Sequence, residues 1–400
     1  MWADVFRTNA RPRLRSMWRS ATIPLPVAML LGAVLLALAS AGPGAVFETL
    51  NKGFGNNLGY FAIVILSAFF IAGWMAERGS ASLGKFGLAL SPLLGAGMVC
   101  PDTAYASLAP IGGGLRKYIA VGCYSGFKLL MPAGPLIIGI GLGADTHSVR
   151  FFLEGLLLTL VTWMVGATWA YFTTHGDAAP TLPEEATDES RDPIAKVIIP
   201  LVAFFALLAI GYLVPNTQHP AAVFFTTPAG ALIATSVLIA INSKPGEAQE
   251  LLSKSMRRTG ALLFTIGCAS ALGQSLGKAL PKDLIEQALA GSDGTVHMLV
   301  GSFLLAALFK SLNGSSLATF AAIPPVLVPV LAGNNVDMAS ITFAVCLGSF
   351  VAILPNDSYF WLVKSDAFPE YPTGRYMKLM TVGSALQALI GIAVLLLITP

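Results

Sequence analysis

Charge is what this sequence has least of. Only 11% of its 400 residues are Asp, Glu, Lys or Arg, where soluble globular chains carry roughly a quarter. That shortage excludes a soluble enzyme, a disordered chain and a nucleic-acid binder. Cysteine is also scarce: Cys100, Cys123, Cys268 and Cys346 sit singly inside apolar stretches. Their spacing gives neither a disulfide framework nor a zinc site. The four histidines, His147, His175, His219 and His297, fall in or beside polar connections, so none is placed at membrane depth as a metal ligand or proton relay. No glycine-rich, lysine-bearing phosphate loop is present, which argues against direct drive by ATP.

Apolar residues make up 55% of the chain and glycine contributes 40 positions, as in polytopic membrane proteins, whose helices tolerate glycine. A helix needs about 20 mostly apolar residues to cross the hydrocarbon. Nine stretches qualify: Pro24–Ala41, Leu58–Ala76, Tyr118–Gly143, Phe151–Thr173, Val197–Val214, Ala221–Ile241, Gly260–Leu280, Ser340–Val363 and Leu379–Thr399. Two further stretches, residues 86–117 and 296–333, carry polar residues at their middles. They read as re-entrant helical hairpins with tips at Pro101-Asp102-Thr103 and Asn313-Gly314-Ser315-Ser316. Cytoplasmic loops are enriched in lysine and arginine. With the N terminus inside and both hairpins returning to their own side, the inner loops hold eighteen of the 24 basic residues. The outer loops hold Lys52, Arg150 and Lys282, and Lys128, Lys278 and Lys310 are embedded. The expected protein lies in the plasma (inner) membrane, N terminus cytoplasmic and C terminus outside.

The expected fold is all-α, built from two inverted repeats. A cytoplasmic basic segment, 1–23, precedes the first repeat at 24–173. An acidic cytoplasmic linker, 174–196, leads to the second repeat at 197–400. Each half has plain spans, a hairpin, an interrupted span and a final span. The interruptions fall at Met131-Pro132-Ala133-Gly134-Pro135 within 118–143 and at Leu354-Pro355-Asn356-Asp357-Ser358 within 340–363. Inverted halves with broken helices are a design of secondary transporters. Irregular backbone survives at membrane depth only when buried in protein or lining a wet cavity, so four breaks point to one shared site for a small polar molecule. Asp102 and Asp357 are carboxylates at membrane depth, an expensive placement that signals a role. Lys128 and Lys310 each lie one turn before a break, where they can pair with a substrate anion or with an internal carboxylate.

At these residues the chain resembles the gluconate permease family. Pro355-Asn356-Asp357-Ser358-Tyr359-Phe360-Trp361 is similar to that family's Asn-Asp-Ser segment followed by aromatics. Asn313-Gly314-Ser315-Ser316-Leu317-Ala318-Thr319 resembles its glycine-serine hairpin tip, and Leu130–Pro135 its proline-rich break. The first tip, Pro101-Asp102-Thr103, has no counterpart in the resemblance. Met131 and Ala133 stand where the family has proline and histidine, marking a divergent member. The resemblance implies the ion-transporter superfamily, an elevator-like motion of a hairpin-bearing domain, and proton-coupled import of sugar acids, hydroxy acids or amino acids. It places the site at Pro132, Gly134, Gly314, Ser315, Asn356, Asp357 and Ser358; the polar breaks themselves add Thr103, Asn313 and Ser316 as substrate contacts, and the two deep carboxylates, Asp357 and Asp102, are the candidates for carrying the coupling ion. The implied partners are a small organic anion, the lipid bilayer and a second copy of the chain; no cofactor beyond protons or sodium is expected. Sodium coupling is the alternative within that class. An intramembrane aspartyl enzyme built on Asp102 and Asp357 is the alternative outside it, as is a passive channel.

Overall fold

The computed structural model describes residues 24–55, 58–78, 84–175, 194–213, 219–279, 294–331 and 336–399. The expected basic segment 1–23 and nearly all of the linker 174–196 lie outside the described residues. Every regular element among those described is helical.

In chain order the α-helices are α1 (Leu25–Ala41), α2 (Val46–Phe54), α3 (Leu58–Arg78), α4 (Gly84–Gly97), α5 (Pro101–Gly112), α6 (Arg116–Leu129), α7 (Gly134–Leu142), α8 (Val149–Thr174) and α9 (Ile194–Leu213). They continue as α10 (Pro220–Thr226), α11 (Pro228–Asn242), α12 (Pro245–Ala279), α13 (Gly294–Asn313), α14 (Ser316–Leu331), α15 (Met338–Gly348), α16 (Ser358–Ala367) and α17 (Thr373–Ile398). Among the described residues six helices are long and apolar enough to cross a membrane, or seven if α10 and α11, bent by 86°, count as one span. Large apolar side chains such as Leu157, Leu160 and Met164 on α8 stand exposed, where an aqueous surface would disfavour them and lipid would not.

The chain breaks where the sequence places its polar interruptions. Two residues, Gly314 and Ser315, separate α13 from α14, and Met98–Cys100 separate α4 from α5. The interrupted spans divide into α6 and α7, and into α15 and α16. Among the described residues three of the nine expected spans, those at α1, at α9 and at the pair α15 and α16, are not among the six membrane-length helices, while α13, expected as a hairpin arm, is; two other expected spans differ in shape. The stretch Gly260–Leu280 is the second part of α12, a 35-residue helix, about 52 Å long at 1.5 Å per residue. The stretch Ala221–Ile241 bends at Thr227-Pro228, because proline cannot continue the donor ladder and Thr227 instead caps α11 by accepting from the Gly230 amide (3.1 Å).

Packing ties the two halves together. The hairpin arms α4 and α5 pack on each other and on α6, and α13 packs on α14 and α15. Across the halves, α7 packs on α14 and α15, while α5 and α6 pack on α16. The long α12 runs against α1, α2, α3 and α14. Where α4 meets α6 the backbones touch: a Cβ at Gly126 would collide with the Pro92 carbonyl. The core between these helices holds Phe127, Phe320, Phe343, Phe350 and Phe360, all almost completely buried.

Candidate functional site

Three of the four breaks open onto one cavity of about 590 Å³. Its wall takes Cys100, Pro101, Asp102 and Thr103 from the first tip and Asn313 to Leu317 from the second. Asn356, Asp357 and Ser358 come from the break before α16, Tyr124 and Phe127 from α6, and Arg258, Ala261 and Leu262 from α12.

Each break is built by local chemistry. At the second tip Gly314 has φ +75°, a left-handed conformation that glycine adopts without penalty. A Cβ there would also collide with the Asn356 carbonyl oxygen. The Asn313 side-chain oxygen accepts from the Ser315 amide (2.6 Å) and the Ser315 hydroxyl accepts from the Ala318 amide (3.2 Å). These are an Asx-turn followed by an N-cap. At the last break Asp357 caps α16 by accepting from the Tyr359 amide (3.0 Å). The Asn356 amide donates to the carbonyls of Ser311 (3.0 Å) and Leu312 (3.3 Å), closing the C-terminal end of α13. At the first tip Pro101 takes the first helical position of α5, where its missing N–H costs nothing. Asp102 sits in that first turn and favours the positive helix end.

The charged groups divide into tied and free. Lys310 is 1% exposed and its ammonium donates to Asp357 (2.5 Å) and to the Gly314 carbonyl. Asp357, 7% exposed, is thus committed to Lys310 and to capping. Lys128 is completely buried and makes no ion pair among the described residues. Its ammonium donates to the Ser349 carbonyl and hydroxyl (3.0 Å) just past α15, and it lies over the rings of Tyr124 (4.2 Å) and Phe350 (5.0 Å). The lysine of the first interrupted span therefore braces the second. Asp102, by contrast, is only partly buried, lies beside Ser358 and the Cys100 thiol, and has no ion pair among the described residues. Arg258 is exposed at the cavity with no ion-pair partner among the described residues.

Of the residues singled out from the sequence, Asp102, Thr103, Asn313, Gly314, Ser315, Ser316, Asn356, Asp357 and Ser358 share this wall. Pro132 and Gly134 do not reach it. They are buried in the first break, where Gly134 abuts the Phe320 ring and the Lys128 carbonyl. Tyr124, Phe127 and Arg258 were not singled out. Arg258 reads as a loop residue until the Glu250–Lys254 pair (2.9 Å) marks α12 as already helical there. Tyr124 lies one turn before Lys128, and that spacing was its only signal. Among the described residues no group of three His, Cys, Asp or Glu side chains could hold a metal ion.

Residues 128–399 match the family described as GntP family permease. The first hairpin lies before that match. Among solved structures the fold is similar to the Alcanivorax borkumensis YdaH transporter, with a TM-score of 0.64 at 16% identity over 93% of this chain and 97% of that one. No curated protein sequence matches the chain. With more than half of its length matched, the chain belongs to the GntP permease family and is a multi-pass membrane transporter rather than an enzyme.

Proposed function

We propose that this permease is a secondary active transporter carrying a small organic anion together with a proton. The observation that carries the reading is the convergence of three helix N-termini, those of α5, α14 and α16, on one cavity. Each helix start carries roughly half a positive charge; Asp102 and Asp357 sit at the starts of α5 and α16, while the first turn of α14 carries no carboxylate, so a substrate anion is best received there. Broken-helix transporters aim half-helix N-termini at anionic substrate groups in this way. A cavity of about 590 Å³ is in the size range of small-molecule sites.

The coupling group in this reading is Asp102. Protonating Asp357 would leave Lys310 buried without its counter-charge, whereas Asp102 has no ion pair to break. An ionised Asp102 repels a substrate anion, and a protonated one does not, so proton and anion each favour binding of the other. Lys254, Arg257 and Arg258 lie within two turns on α12, which supports a cytoplasmic mouth for this cavity. The matched order of breaks in the two halves supports inverted repeats with re-entrant hairpins α4–α5 and α13–α14.

The test is uptake into proteoliposomes with gluconate, glycerate and serine as probes. An inward proton gradient should concentrate at least one of them. Asp102→Asn should keep exchange of that probe across the membrane and lose its accumulation. Accumulation that follows an imposed sodium gradient at fixed pH and survives Asp102→Asn would replace the proton with sodium. Vesicles that neither exchange nor accumulate any organic anion would refute the reading.

A further inference from the structure

The cavity of about 590 Å³ is walled by two groups of helices besides the second hairpin tip. In one, α5, α6 and α16 pack on one another and bring Asp102, Tyr124 and Ser358. In the other, α3 packs on α12, and the pair brings Phe69, Ala261, Leu262 and Arg258. Arg258 is the one charged side chain that this second group gives the cavity. It is exposed and makes no ion pair among the described residues. It stands mid-helix in α12, so it complements no helix end, and its neighbour Lys254 is taken by Glu250 (2.9 Å). Neither pairing, packing nor capping accounts for it.

The other cavity, of about 410 Å³, is built differently. Its one charged lining side chain, Lys52, gives its ammonium to Glu48 one turn earlier (2.7 Å). That wall presents a neutral pair, whereas Arg258 presents an uncompensated cation. A guanidinium stays charged at every working pH. A lone charge beside a low-dielectric cleft raises the local concentration of the opposite ion, and salt erases the effect. The rest of the cavity directs where an anion drawn in would go. Asp357 is balanced by Lys310 (2.5 Å), and the first turn of α14 carries no carboxylate. Because α12 and α14 pack on each other, the wall that holds Arg258 adjoins that helix start.

We propose that Arg258 is an anion-capture residue: it holds the entering substrate anion at this cavity and passes it to the start of α14, so that affinity depends on salt through this one side chain. The proposal rests on the organic-anion reading above and goes beyond it, by assigning a step that precedes the proton-coupled one. Capture changes how readily the anion enters but not its free energy in either solution. It therefore leaves accumulation at equilibrium untouched.

The experiment uses the full-length protein in detergent, with gluconate and glycerate as probes and thermal stabilisation as the readout of affinity. Arg258→Lys, Arg258→Gln and Arg258→Glu form a charge series. At low ionic strength Arg258→Gln should weaken both probes about fivefold, the effect of one charge a few ångströms from an anion in water. Arg258→Glu should weaken them further, and Arg258→Lys should match the wild type. In about 1 M potassium chloride, where screening acts beyond about 3 Å, the four proteins should converge. Ligand-free melting temperatures should be equal across the series, because the side chain has no ion pair to lose. In proteoliposomes Arg258→Gln should still reach the wild-type accumulation ratio, which Asp102→Asn should not. Wild-type affinity in Arg258→Glu at low salt would overturn the proposal. So would a loss in Arg258→Gln that persists in high salt or that Arg258→Lys shares, since either assigns the effect to shape rather than charge. A wild type that binds neither probe at any ionic strength would remove the organic-anion reading itself, and the proposal with it.

Discussion

Lys310 and Asp357 form the most buried ion pair among the described residues, and their energetics set what either residue can do. Removing one member of a buried pair costs about 3–5 kcal/mol, while replacing both with neutral groups of similar size is often tolerated. Asp357→Asn alone should therefore lower the melting temperature sharply, and Lys310→Met with Asp357→Asn should recover most of the loss. Measurement of both variants by thermal unfolding in detergent checks this. A single variant as stable as the wild type would mean that the pair does not form. From the sequence, Asp357 reads as a carboxylate at membrane depth that carries the coupling ion, and Lys310 as a partner for a substrate anion or an unnamed internal carboxylate. The partner of Asp357 lies 47 positions earlier, in another broken element, and only the fold brings them together. Lys128 gives the same lesson in reverse. A lysine one turn before a break suggests an anion partner, yet it binds the Ser349 carbonyl past the end of α15. Cations suit helix C-terminal ends as anions suit N-terminal ones. Lys128→Met should accordingly loosen the contact between the two interrupted spans and lower the melting temperature, while Arg257→Ala, an exposed change outside the cavity wall, should leave it unchanged.

At the scale of elements, the breaks were legible because backbone chemistry writes them plainly. Pro101, Gly134-Pro135, Gly314 and Pro355 are residues that stop or restart helices, and they stand at the ends of α5, α7, α14 and α16. What could not be read was the length of α12. Its first turns carry Glu247, Glu250, Lys254, Arg257 and Arg258, a polar run that hydropathy assigns to a loop. Helices extend beyond hydrocarbon when i,i+4 pairs support them, as Glu250 and Lys254 do here (2.9 Å). The second tip offers the sharpest element-level test. Gly314 combines a left-handed backbone with direct contact against the Asn356 carbonyl. An alanine pays about 1–2 kcal/mol for the left-handed backbone alone, and its methyl must also push the α16 break away. Gly314→Ala should abolish transport of any probe the wild type carries and lower stability by at least that amount. Wild-type transport in this variant would show that the contact between tip and break is dispensable.

For the whole molecule, the arrangement of cavities bears on alternating access. A second cavity of about 410 Å³ is lined by Lys52, Phe61, Ser270, Gln274, Phe320 and Pro324 among others. Three helices border both cavities: α3, through Phe69 on the first and Leu58 and Phe61 on the second, and α12 and α14. On α14, Ser316 and Leu317 face the first while Phe320, Ala321 and Pro324 face the second; on α12, Arg258 and Ala261 face the first and Ser270 and Gln274 the second. Between the cavities stand Phe127 and Phe320, whose rings lie 5.7 Å apart and are almost wholly buried. Ala261 and Gln274 are thirteen positions apart on one helix, about 20 Å along its axis, which is a large part of the roughly 30 Å hydrocarbon thickness. Two cavities end to end along a membrane-crossing helix, with an aromatic plug between them, should open to opposite sides. In a Cys100→Ser background, an impermeant thiol reagent should reach Ala261→Cys from one side of sealed vesicles and Gln274→Cys from the other. Replacing the plug by Phe320→Ala should let each cysteine react from both sides, at a stability cost of about 3–5 kcal/mol for a buried ring that thermal unfolding in detergent would read. Labelling of both positions from the same side in the unplugged and plugged proteins alike would mean that the two cavities share one mouth, and that the Phe127–Phe320 contact separates chambers rather than compartments.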